Sequence, residues 1–197
     1  LATANNLDAE LCKQAFYDST EATARLAAFC TARYSEVIGH GYYETRATEL
    51  AIRDTILLCI SLRRLAELTK TQKKLKAEEL RSFIAKRDET GLYFEDSDYR
   101  YNLWEIIGNI VHAKNMIIIN DDITFKQRFG HAEKDIEVLF RLIHQRKHVE
   151  SVFLIESDRG DIKFFRGINL IKSVVDYLDK AEDTLSDNGI YVGHLNA

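Results

Sequence analysis

The chain has 197 residues, 46% of them hydrophobic and 29% charged, and a formal net charge of −4. That length supports one hydrophobic core, and the composition excludes a disordered chain, a collagen-like repeat and a disulfide scaffold. The acidic balance also argues against a globally basic nucleic-acid binder, while leaving room for a local basic patch. Proline is absent, against an average usage of about 5%. Its absence fits long uninterrupted helices, because proline is their main breaker.

Residues 7–38 read as a first long helix. Leu7, Leu11, Ala15, Leu26, Phe29 and Val37 recur at helical spacing, interrupted by the polar stretch Asp18–Thr20, and Gly39 and Gly41 around His40 make a stop. A second helix is expected over about 44–70, with Leu50, Leu57, Leu58, Leu62 and Leu65 as its buried face. A third is expected over about 74–88, carrying Leu75, Leu80 and Phe83. Two long helices joined by a short glycine-containing turn form an αα-hairpin, the beginning of a bundle.

Residues 89–98 read as a loop, with Ser97 or Asp98 capping a fourth helix at about 99–114. Met116–Ile119 is either the tail of that helix or a short strand, and Asn120-Asp121-Asp122 is turn chemistry. A fifth helix is expected over about 131–148, with Ile136, Leu139, Phe140 and Ile143 on one face. The period then changes. Val152–Ile155 and Ile162–Phe165 flank Ser157-Asp158-Arg159-Gly160-Asp161, which signals a β-hairpin. The Arg159-Gly160-Asp161 triplet is turn chemistry in that setting rather than an adhesion motif. Gly167 ends the hairpin, a last helix covers about 168–185, and the tail 186–197 is weakly specified. The expected fold is a single, mainly α domain over 1–197, a bundle of five to six helices with a small β-hairpin at about 151–166.

The three cysteines, Cys12, Cys30 and Cys59, are widely spaced and form no CxxC pair. They read as buried free thiols in a reducing cytosol, and they exclude a zinc knuckle. No apolar run approaches the ~18 residues of a membrane span, and the first residues lack a signal-peptide pattern, so a cytoplasmic protein without membrane contact is expected. No Walker loop, GxGxxG, GxSxG elbow or EF-hand loop is present, and no cofactor is expected.

Charge is uneven along the chain. Nine basic residues (Arg63, Arg64, Lys70, Lys73, Lys74, Lys76, Arg81, Lys86, Arg87) stand between 63 and 87, against three acids, Glu67, Glu78 and Glu79. Such a run is usually a solvated edge. Its other reading, an anion or nucleic-acid surface, lacks interleaved aromatics in the local sequence.

The segment from Leu103 to Ala113 concentrates chemistry. On a helix, Glu105, Asn109 and His112 fall at i, i+4 and i+7 and share a face, while Trp104, Ile107 and Val111 are expected to pack inward. Gly108 in the middle costs about 1 kcal/mol against alanine, which suggests close approach of another helix or a ligand. This stretch resembles the final helix motif of HEPN domains, helical domains of prokaryotic defence and toxin–antitoxin proteins. Active members of that family are metal-independent endoribonucleases that commonly dimerise with their motifs facing. The resemblance implies His112 as the motif histidine and Asn109 as its polar partner. No arginine stands four to six residues before His112, where Glu105, Ile106 and Ile107 lie instead. Some members carry an acidic-then-basic pair on an earlier helix. Glu49 and Arg53 have that spacing and would supply the guanidinium, or form an ordinary surface ion pair. Ribonucleolysis needs a proton shuttle for the 2′-hydroxyl and a cation at the phosphate, the chemistry of His and Arg.

His144 and His148 form an i, i+4 pair with metal-ligand spacing, with His131, Asp121 or Asp122 as a third ligand. Arg146 and Lys147 between them disfavour a cation, so no metal is expected. The expectation is a HEPN-like protein that acts on or binds RNA in defence or stress response, catalytically degenerate in the absence of the motif arginine, and a homodimer. The alternative is a non-enzymatic helical interaction protein, an immunity or regulatory partner. The catalytic candidates are His112, Asn109, Glu105, Arg53 and Glu49.

Overall fold

The computed structural model describes residues 2–32, 42–88, 91–119, 151–158 and 162–193. In chain order these form α1 (Ala2–Thr31), α2 (Tyr42–Leu68), α3 (Gln72–Ala77), β1 (Glu79–Asp88), β2 (Gly91–Asn102), α4 (Leu103–Val111), β3 (Ala113–Ile119), β4 (Val152–Ser157), β5 (Ile162–Arg166) and α5 (Gly167–Asp187). The chain is mainly α, and its strands make one small antiparallel sheet.

On α1, Cys12, Ala15, Phe16, Ser19, Ala22, Thr23, Leu26 and Phe29 are buried at steps of three and four, the stripe of an amphipathic helix. The polar stretch expected to interrupt this helix does not. The Ser19 hydroxyl donates to the Ala15 carbonyl at 2.7 Å, and Thr23 does the same to Ser19 at 2.7 Å. Their polarity is satisfied inside the helix, so they can be buried. The small residues of that stripe let α2 approach with Ala51, Thr55, Leu58, Cys59 and Leu62. Arg25 ties the two helices by reaching Asp54 at 3.1 Å. The three thiols are free. Burial raises Cys30 to about 11 and pushes Cys59 up further.

Helix α2 ends where Lys70 adopts φ 57, with the Thr71 N–H returning to the Ala66 carbonyl at 2.9 Å. That is a left-handed stop without its usual glycine. Of the third helix expected over 74–88, only the short α3 exists; the rest is β1. Leu75 and Leu80 are five residues apart and cannot share a helical stripe. Instead buried Leu80 and exposed Arg81 begin a period of two.

The expected loop 89–98 falls largely within β2, which pairs antiparallel with β1 from Glu79↔Asn102 to Asp88↔Gly91. β2 lies at the edge of the sheet, whose order is β2-β1-β5-β4-β3. An edge strand tolerates a charge-rich sequence of the kind that reads as a loop, and aromatic residues favour the β conformation. Met116–Ile119 is strand, the end of β3. The helix between them is shorter than expected, and its cap is Asn102, whose side chain accepts from the Glu105 N–H at 2.9 Å.

The expected hairpin is present as β4 and β5, and it lies inside the sheet rather than alone. β4 is buried along nearly its whole length, which explains its continuous apolar run. Phe153 and Phe165 are register partners and stack at 5.6 Å. Helix α5 leaves β5 at Gly167 and packs on α1, with Leu170, Val174, Tyr177, Leu178 and Ala181 buried. The Tyr177 hydroxyl hydrogen-bonds that of Thr71 at 2.8 Å. Burial lifts its phenol to about 12. The expected end of the first helix at 33–38 with its stop at Gly39–Gly41, the fifth expected helix at 131–148, the turn at Asn120–Asp122 and the Arg159–Asp161 triplet lie outside the described residues.

Candidate functional site

Helix α4 is fixed by its apolar face. Leu103, Ile106, Ile107 and Ile110 are buried in the common core, and the Leu103 N–H donates to the Glu78 carbonyl at 2.8 Å. The opposite face is open. Glu105 and His112 are exposed, and Asn109 is half-buried, so the three expected site residues do lie on one solvent-facing side. Their individual roles are more constrained. The Asn109 amide donates to the Glu105 carbonyl at 2.7 Å, a bond within the helix. His112 is the C-cap, its N–H returning to the Gly108 carbonyl at 3.1 Å. Directly after it the β3–β4 register slips between Ala113 and Asn115, an irregularity of the kind that re-aims neighbouring side chains.

Trp104 and Val111 are only half-buried, at the margin of the buried stripe rather than in it. The Arg63 guanidinium sits 5.4 Å from the Trp104 ring centroid and the Lys76 ammonium 5.7 Å from it. The basic run of 63–87 therefore does acquire an aromatic, contributed by a helix some 30 to 40 residues further along the chain. Local sequence could not reveal this, because Arg63, Lys76 and Trp104 come from α2, α3 and α4. Trp104, Gly108 and His112 stand at i, i+4 and i+8, one line along α4 about 12 Å long. A Cβ at Gly108 would meet nothing within 4 Å among the described residues. No helix among the described residues makes the expected close approach to this glycine. Gly108 leaves a side-chain-free gap between the cation-flanked ring and the imidazole.

The Glu49–Arg53 pair is not formed. Glu49 binds Arg46 at 2.8 Å, and both are exposed on α2, while Arg53 is exposed. His144, His148, His131, Asp121 and Asp122 lie outside the described residues, and no group of metal-ligating side chains occurs among the described ones. No helix among the described residues is long and apolar enough to cross a membrane.

Among the described residues, α1 and α5 also form an open groove of about 450 Å³. Phe16, Tyr17, Ile171 and Val175 line it, with Asp179 and Glu182 beside them. Its apolar wall and carboxylates are wrong for a polyanion. The α4 face, with two cations on an indole, has the opposite character. No protein-family model, no curated protein and no solved structure matches the chain.

Proposed function

We propose that the chain binds single-stranded RNA along the outer face of α4, as a HEPN-like protein of a defence or stress response acting in the cytoplasm. The observation that carries this reading is the approach of Arg63 and Lys76 to Trp104. Single-strand surfaces combine an aromatic face on which a base stacks with cations that take the flanking phosphates. The open surface at Gly108 gives the strand room to run from Trp104 to His112. There the His112 imidazole can pass a proton to and from a 2′-hydroxyl. Arg63 supplies a guanidinium for phosphate at the other end of that line, which the α4 sequence itself lacks. Binding is the primary activity in this reading, and cleavage depends on His112 alone as proton carrier.

The test is fluorescence anisotropy with a short labelled single-stranded RNA at two salt concentrations, beside cleavage of total RNA in the presence of chelator. Wild-type protein is expected to bind, and Trp104→Leu to lose at least about tenfold in affinity, the value of one stacked base. Arg63→Ala and Lys76→Ala should each reduce the salt slope by about 0.7. Chelator-resistant cleavage lost in His112→Ala would make the protein a nuclease. Absence of binding at low salt, or binding indifferent to Trp104→Leu, would overturn the proposal.

A further inference from the structure

Helix α2 carries an apolar stripe that the described residues leave exposed. Leu50, Ile56, Leu57 and Ile60 are 43%, 36%, 41% and 48% exposed. Leu50 and Leu57 were expected in the core, whereas the buried side of α2 is formed by Ala51, Thr55, Leu58, Cys59, Leu62, Leu65 and Ala66. The exposed side has its own pattern. Positions 46, 49/50, 53, 56/57, 60, 63/64 and 67 advance by alternating steps of three and four, the seam of a two-stranded coiled coil. Its middle is apolar apart from Arg53. Its ends are charged, with Arg46 and Glu49 at one and Arg63, Arg64 and Glu67 at the other.

We propose that this seam is the contact with a second copy of the chain, the two α2 helices running antiparallel about a twofold axis between Ile56 and Leu57. The charges select that arrangement. In it Arg46 faces Glu67 of the second copy, Glu49 faces its Arg64, and Ile56 faces its Leu57. By symmetry every such pair occurs twice. The Arg53 stem lies along Ile60 of the second copy with its guanidinium at the rim. A parallel pair would set Arg46, Glu49 and Arg53 each against its own copy. Sliding the antiparallel pair by three or four residues in one direction opposes Arg46 to Arg64 or to Arg63. Sliding it the other way opposes Glu49 to Glu67, or Arg53 to Arg64. Only one antiparallel register within a helical turn is free of these like-charge contacts.

The existing ion pairs within the helix, Arg46 with Glu49 at 2.8 Å and Arg63 with Glu67 at 3.1 Å, are exposed. Pairs of that kind are worth little, so exchanging them across the interface costs little. One helix pair about 32 Å long buries less than the ~1,600 Å² of a standard interface. The dimer is therefore expected to dissociate on dilution.

Sedimentation equilibrium on the full chain between about 1 and about 200 µM tests this. The wild type is expected to pass from one chain to two across that range. Glu49→Arg and Arg64→Glu should each weaken association at least about tenfold, and the double variant should restore it, because the swapped charges again face each other. Ile60→Asp should abolish association. Circular dichroism on each variant reports that the helices remain intact. A wild type monomeric throughout, which would leave the face to a different protein, overturns the proposal. So does a dimer indifferent to Ile60→Asp, or a double variant as weak as its single parents.

Discussion

Two glycines lie in helices among the described residues, and their surroundings differ. At Gly167, where β5 passes into α5, an added Cβ would stand 2.5 Å from the Cys30 sulfur and 2.7 Å from the Phe153 ring. Its N–H donates to the Ser151 carbonyl at 2.8 Å, so the backbone cannot easily retreat. At Gly108 a Cβ would meet nothing within 4 Å among the described residues. The first glycine is required by packing inside the chain. The second forgoes about 1 kcal/mol of helix stability with no contact among the described residues in return. The hairpin–α5 junction is thus fixed by internal contacts, whereas the described residues leave the α4 face at Gly108 open, as the proposed strand path requires.

The largest effect on stability is expected at the packed site. Gly167→Ala must displace Cys30 or the Phe153 ring, and overpacking of that kind costs about 1–3 kcal/mol. Thermal unfolding should fall by several degrees, at about 2–4 °C for each kcal/mol in a chain of this size. Adding Cys30→Ala should recover part of the loss, since it removes the nearer of the two obstacles. Unchanged unfolding in Gly167→Ala would erase the contrast between the two glycines. On the open face the corresponding change is Trp104→Leu. It keeps an apolar side chain at a half-buried position and removes the aromatic ring, so RNA affinity should fall about tenfold or more while the melting temperature moves little.

A smaller effect separates the packed region from the open one by pH. Burial raises the Tyr177 phenol from its ordinary 10.0 to about 12. The folded chain therefore holds this proton where the unfolded chain has released it. Its contribution is complete below about pH 10 and is lost as pH rises towards 12. Tyr177→Phe should cost about 1 kcal/mol at neutral pH, through the lost bond to Thr71. It should also flatten this part of the alkaline decline, measured as urea unfolding at several pH values. The raised Cys30 and Cys59 thiols lower alkaline stability in the same sense. The comparison is therefore between variant and wild type at each pH.

How far the sequence could be read follows from how local each signal is. The two long helices, the β4–β5 hairpin and α5 carry their period within a few turns, and each was legible in its own segment. β1 and β2 were not. Leu75, Leu80 and Phe83 imitate a helical stripe only if a step of five is tolerated. β2 is an edge strand whose charges resemble a loop. In α2 the sequence offered two apolar stripes, and no local feature distinguished the one facing α1 from the one facing solvent. The candidate site divides the same way. Glu105, Asn109 and His112 share a face because one short helix puts them there. The meeting of Arg63, Lys76 and Trp104 depends on how α2, α3 and α4 pack, and no window of sequence contains it.

The smallest expected change in stability is also the sharpest division between the two regions. Gly108 lies within α4 at a position where alanine meets no neighbour among the described residues, so Gly108→Ala should stabilise the protein by up to about 1 kcal/mol. If the gap between Trp104 and His112 serves a bound strand, the same methyl group should weaken RNA binding. Stability and affinity would then move in opposite directions from a single added carbon. If both rise, or affinity is unchanged while stability rises, Gly108 has no part in binding and the strand does not follow α4. A fall in stability would mean that the α4 face is packed after all, and the distinction from Gly167 would disappear with it.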